Sequence, residues 1–207
     1  MYLSKAILKW PSCRNPYQWH RIIWHLFPNR QEDKREYQFA CLKSRTEKDI
    51  PILLLSKAKP NPIQTLEIEV VGESKSLAGL LFKQDQKLGF RLTANPAKVL
   101  TEDTEEKRKI RVPFIKSEHQ EAWLKRKLDG MAEIQSIVSQ NEPPLYFNRN
   151  GKAGKIVPVT FEGILKVIEP DKFKKQIYEK YDHNRKYIAG IGPAKAFGCG
   201  LMLVKRI

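Results

Sequence analysis

Apolar and polar residues along the first half of the chain sort into short runs that predict strands around one helix. YLSKAIL (residues 2–8) has strand composition, and a loop follows over residues 11–16. Asn15-Pro16 then opens a helix, a capping side chain followed by proline at the first helical position. Pro28-Asn29 ends it near Phe27. At about 100° per residue, Trp19, Ile22, Ile23, Leu26 and Phe27 form one broad apolar arc that should face a sheet. YQFACLKS (37–44) and DIPILLLSKA (49–58) read as two strands, a short element starts near Asn61, and GFRLTA (89–94) reads as a further strand. This order is that of a ferredoxin-like unit.

The second half gives a similar succession. KVLTEDTEEKRKIRVPF (98–114) has mixed charge and no apolar period, as in a hairpin or linker near a domain junction. SEHQEAWLKRKL (117–128) is a helix opened by a capping-box-like Ser117 and Gln120 and ended near Gly130. EIQSIVSQ (133–140) is a strand, and KIVPVTFEGILKVI (155–168) is one long strand or a pair. PDKFKKQIYEKY (170–181) is an amphipathic helix with Phe173, Ile177 and Tyr181 at four-residue spacing. GIGPAKAFGCGLMLVKRI (190–207) is a glycine-rich loop entering a last strand. The pattern predicts an α+β protein of two tandem ferredoxin-like, RRM-like βαββαβ domains, over residues 1–94 and 95–207.

Composition adds a partner class. The chain has 207 residues, with 38 Lys and Arg against 23 Asp and Glu, a net charge of +15 and a pI near 9.7. A solvated surface does not need so large an imbalance, and nucleic acid is its commonest partner. The longest aliphatic run, ILLL at 52–55, is far short of the ~20 residues that span a bilayer, and no secretion signal opens the chain. Basic residues spread over strands and loops also argue against a membrane-surface helix. Cys13, Cys41 and Cys199 are odd in number and far apart, which suits a reducing cytoplasm and gives no zinc or disulfide pattern.

Candidate chemistry centres on the first helix. His20 and His25 diverge by about 140° on the wheel, so they cannot share a metal from this helix. His25 falls on the polar face. His20 sits at the border of the apolar arc with Tyr17 three residues before it; such a histidine is either a packing residue or a proton carrier. RNA supplies its own nucleophile, the 2′-hydroxyl. A histidine that moves a proton, a neighbouring tyrosine and a cation on the phosphate could therefore cut it without metal. Two basic clusters could hold phosphates: Arg149, Lys152 and Lys155 in NRNGKAGK, and Lys107, Arg108, Lys109 and Arg111. GIGPAKAFGCG, with Lys195, lacks the endings of the nucleotide-binding glycine loops. It is either a tight turn or a loop that lets an RNA backbone approach. His119 and His183 have no evident partners.

Taken together, MYLSKAIL, YQWHRIIWHLFPNR, FRLTANPAK, RVPFIKSEHQEAWLKRKL, GKAGKIVPVTFEGIL and GIGPAKAFGCGLMLV resemble the CasE/Cse3 family, from the first residue to the last and in the same order. The resemblance implies two ferredoxin-like domains of the RAMP type. It implies a cofactor-free and metal-independent endoribonuclease that cuts CRISPR repeat RNA 3′ of its hairpin. The ends left are a 2′,3′-cyclic phosphate and a 5′-hydroxyl, and the enzyme stays on the hairpin as a subunit of Cascade. The family's histidine falls on His20, its helix tyrosine on Tyr17 and its glycine motif on Gly190, Gly192, Gly198 and Gly200. Its phosphate-stabilising charge falls on the loop of Lys152 and Lys155, with Lys155 preferred. DHNRKY (182–187) is extra length before the glycine loop. A non-catalytic subunit that holds an RNA hairpin is the alternative.

Overall fold

The computed structural model describes residues 1–10, 14–28, 36–42, 49–62, 65–101, 109–179 and 190–207. The first strand, β1 (Tyr2–Leu8), is followed by a 3-10 turn (Pro16–Gln18) running into helix α1 (Trp19–Trp24). Strands β2 (Tyr37–Cys41), β3 (Ile50–Ser56) and β4 (Ile68–Ser76) complete an antiparallel sheet in the order β2-β3-β1-β4. Ala6 and Leu8 of β1 with Ile52 and Leu54 of β3 form the face on which α1 lays Trp19, Ile22 and Ile23, and the turn after it Leu26, all buried. Leu55 points the other way, into a second core, which is why β3 is apolar nearly throughout rather than alternating.

The second half starts at β5 (Lys87–Ala94) and a hairpin of β6 (Ala97–Thr101) and β7 (Lys109–Pro113). Helix α2 (Ser117–Leu128), β8 (Ala132–Asn141) and a second hairpin of β9 (Leu145–Arg149) and β10 (Lys152–Ile156) come next. The chain closes with β11 (Val159–Val167), α3 (Pro170–Lys174) widening into a π-turn (Lys175–Glu179), and β12 (Met202–Arg206). Strands β12-β5-β11-β8 make one antiparallel sheet, and Trp123, Leu124 and Leu128 of α2 with Phe173 and Ile177 bury its inner face. Tyr178 lies in the same core, where burial pushes its phenol up to about 12 and keeps it neutral.

Both sheets have the ferredoxin-like strand order, so two such units stand in tandem as expected. The division between them is not where the sequence pattern put it. The strand at 89–94 does not close the first unit; it is the central β5 of the second, paired with β11 and β12. A boundary at 94/95 would cut that strand from its sheet, so the division by sheets falls after Ser76 and before Lys87. The fourth strand of the first unit is β4, whose mixed sequence IEVVGESKS follows from its edge position, with solvent along one side. Among the described residues no helix lies between β3 and β4; Asn61 instead donates its backbone N–H to the Leu26 carbonyl at the end of α1.

Two local readings also change. Lys116, not Ser117, holds the N-cap position of α2 and makes no side-chain cap there, and Gln120 is buried with its amide donating to the carbonyls of Phe114 and Ile115 and to Asn141 Oδ1. That amide ties the helix start to the end of β8 rather than closing a capping box. NRNGKAGK is not an open loop but the tip of the β9–β10 hairpin. Asn150 and Gly151 take φ of 50° and 77°, the left-handed pair of a two-residue turn that Asn-Gly favours. Tyr181, His183 and the segment 182–187 lie outside the described residues.

Candidate active site

Tyr17 and His20 are placed by the start of the first helix. Asn15 caps the 3-10 turn, its side-chain oxygen accepting from the Tyr17 backbone N–H at 3.1 Å, with Pro16 in the first position as the sequence predicts. The apolar arc turns Trp19, Ile22 and Ile23 inward and leaves His20 half-buried at the rim. Its ring meets the Tyr17 ring edge-on, centroids 5.3 Å apart. From beneath, the buried Tyr37 hydroxyl of β2 donates to the His20 backbone carbonyl, fixing this turn of helix on the sheet. His20 is therefore not an interior packing residue. His25 points away, exposed, with Nδ1 3.3 Å from a Glu67 carboxylate oxygen. His119 is exposed beside Phe114.

The β9–β10 hairpin is the second wall. Opposed residues of an antiparallel pair share a face, so its register sorts the side chains. Leu145, Phe147 and Arg149 face the body with Ile156, Gly154 and Lys152, while Tyr146 and Lys155 face solvent. Leu145 and Ile156 are buried in the first unit's core, and Phe147 packs against it. Phe147 lies across Gly154, where any Cβ would fall 2.2 Å from its ring, and stacks on Tyr17 at 6.3 Å. Arg149 places its guanidinium 5.6 Å over the Tyr17 ring. The cation set against the Tyr17–His20 pair is thus Arg149, with Lys152 directly opposite it in register. Lys155, the lysine preferred from the sequence, sits with Nζ 5.5 Å over the Tyr146 ring on the outer face. The period of a two-stranded hairpin decides this: 152 and 155 differ by an odd number and cannot share a side.

The glycine-rich loop forms the third wall. A 3-10 turn over Lys195–Phe197 brings Phe197 to 4.7 Å from Phe147 and into the core beneath α1. Gly190, Gly192, Gly198 and Gly200 all have positive φ, from 75° to 130°. Their missing Cβ atoms would meet protein: Gln38 at Gly190, Trp123 at Gly192, Cys41 and Phe39 at Gly198, and the Ile191 backbone at Gly200. So the loop clasps β2 of the first unit to α2 of the second. Backbone conformation and internal contact account for its glycines, and Lys195 is its half-buried cation.

Of the other basic cluster, only Lys109 and Arg111, both on β7, are described. Arg111 is exposed there, Lys109 begins β7, and Lys107 and Arg108 lie outside the described residues. Sequence reasoning gave Asn15 only as a cap, not as the side chain that also reaches the hairpin backbone at Asn148, and it missed Phe147, which links all three walls. Asn150-Gly151 was the legible signal for the hairpin; nothing in one sequence announces contacts across 133 positions. Among the described residues no three His, Cys, Asp or Glu side chains gather as a metal set, and no helix is long and apolar enough to cross a membrane.

A half-buried imidazole in contact with a phenol, whose ring carries an arginine guanidinium over it, can pass protons beside a bound phosphate. Known proteins share this framework. A sequence model of the family described as CRISPR associated protein matches residues 1–206. The CRISPR system Cascade subunit CasE of Escherichia coli K12 is 36% identical over 208 residues, 98% of each chain. The crystal structure of the CRISPR-associated protein Cas6e from the same strain superposes with a TM-score of 0.81 at 33% identity, covering 100% of both chains. The CRISPR endoribonuclease Cse3, solved bound to a 19 nt RNA, gives 0.76 at 26% identity, covering 99% of this chain and 100% of that one.

Proposed function

The chain belongs to the CRISPR-associated protein family of CasE and Cse3, and from that premise we propose that it is a metal-independent endoribonuclease that processes CRISPR repeat RNA. The observation that carries this reading is the Tyr17–His20 ring pair with the Arg149 guanidinium over the Tyr17 ring. The 2′-hydroxyl of the nucleotide at the cut attacks the adjacent phosphorus and gives up its proton. The bond to the 5′-oxygen breaks, and that oxygen takes a proton. A 2′,3′-cyclic phosphate and a 5′-hydroxyl remain, 3′ of the repeat hairpin. His20 serves one proton step, since an imidazole with an ordinary pKa near ~6.5 exchanges protons at cellular pH. Tyr17 orients it and shares the proton path. Arg149 and Lys152 stabilise charge on the phosphorane, while Lys155, Lys195, Arg111 and the neighbouring Lys107, Arg108 and Lys109 hold the RNA backbone.

The product hairpin stays bound, and the protein then serves in the cytoplasm as a Cascade subunit alongside the other subunits. Incubating the chain with labelled repeat RNA from its own genome in excess EDTA tests the reading. Cleavage with a cyclic phosphate end supports it. Intact RNA in a stable complex would make the protein a hairpin-holding subunit without catalysis.

A further inference from the structure

We infer that Asn15 is a positioning residue for cleavage: its side chain locks the β9–β10 hairpin so that Arg149 stays over the Tyr17 ring, beside His20. The inference rests on the catalytic reading above and adds a residue to it. Asn15 Nδ2 donates to the Asn148 carbonyl at 3.0 Å, while its Oδ1 accepts from the backbone N–H of both Tyr17, at 3.1 Å, and Asn148, at 3.4 Å. One primary amide thus caps the turn that carries Tyr17 and pairs both polar backbone groups of the residue before Arg149. Two N–H groups need an oxygen and one carbonyl needs a donor, so the network sets which way the amide lies.

The hairpin needs such an anchor. Two strands alone are barely stable in water. Leu145 and Ile156 bury its base, and Phe147 packs two pairs further out. Beyond Phe147 comes Asn148, which Asn15 grips and whose own side chain accepts from the Gly151 N–H at 2.9 Å in the turn. Arg149 follows at once. Without the amide, nothing in this network holds the tip's backbone to the helix, and the guanidinium swings with the turn. Asparagine is required because serine can cap the turn but is too short to span to Asn148. Aspartate can cap and accept, yet it cannot donate to the Asn148 carbonyl.

Single-turnover cleavage of repeat RNA at saturating enzyme decides the matter, with affinity measured in parallel. Asn15→Ser should slow cutting about tenfold, the cost of a misplaced group, and shift Kd less than about threefold because every cation remains. Asn15→Asp should slow it similarly, so the test survives if one variant folds poorly. In an Arg149→Ala background, Asn15→Ser should cost less than about twofold more, because its route to the reaction is already gone. Parent-like cutting by both variants, or losses that simply multiply with Arg149→Ala, overturns the role. His20→Ala run alongside separates the two ideas: if it too cuts normally the catalytic reading fails, and if it alone is dead only the Asn15 role falls.

Discussion

The two ferredoxin-like units have the same strand order and close their cores differently. The second supplies its own cover, α2 and the α3 π-turn, with Trp123, Leu124, Leu128, Phe173 and Ile177 buried over its sheet. The first has only the six residues of α1 and no described second helix. It completes its core with Leu145 and Ile156 of the β9–β10 hairpin and Phe197 of the glycine-rich loop, all from the second half. The catalytic candidates sit at that seam. A helix whose cover is borrowed brings its rim residue Tyr17, with His20 beside it, against a cation that lies more than a hundred positions away in sequence. The second unit, whose core also takes in Ala40 and Leu55 of the first, serves as the frame, and the candidate site lies where the two units meet.

Removing the rim imidazole tests whether chemistry lives at the seam. His20→Ala should lower single-turnover cleavage about a thousandfold, within the range for lost acid–base catalysis, and change Kd for the hairpin less than about twofold. Both units should melt as in the parent, because the half-buried ring contributes little to either core. Comparable losses in binding and cutting would instead make His20 part of the scaffold.

The two faces of the hairpin give the next contrast. Arg149→Ala should slow cutting by about a hundredfold at saturating RNA, the order seen when a donor to a developing oxyanion is removed. Lys155→Ala, on the outer face, should slow it less than about threefold and act mainly on affinity at raised salt. A reversed order would return the transition-state role to Lys155, against the register that separates it from Tyr17.

That contrast also marks what could be read from the chain alone. The first helix was legible because its cap, its proline and its apolar arc are local, and they placed His20 at the rim where it lies. The tandem architecture was legible from the succession of periods. Strand partnership was not: GFRLTA reads the same whichever sheet it joins, and only pairing with β11 and β12 assigns it to the second unit. Charge likewise pointed to nucleic acid as a partner but not to the side on which a cation faces, which needs the hairpin register. The glycines were conspicuous, yet their reason lies in Gln38, Trp123, Phe39 and Cys41, residues far off in sequence that the loop meets only after folding.

Those glycines allow a last comparison, between the seam and the exposed edge of the first sheet. Gly192 has φ +83°, and a Cβ there would sit 2.8 Å from two ring carbons of the buried Trp123. Alanine at 192 meets both a disfavoured backbone region and an immovable indole, so the loop must lift or the helix must shift. A loss of about 3 kcal/mol in urea unfolding is expected from the two costs together. Gly72 in β4 has φ +69° and open space around its missing Cβ. Gly72→Ala should cost only the backbone strain, about 1 kcal/mol. Because the loop also carries Phe197 beneath α1, Gly192→Ala should slow cleavage at temperatures where the chain is still folded, and Gly72→Ala should not. Equal costs for the two alanines would mean that the loop tolerates lifting from Trp123.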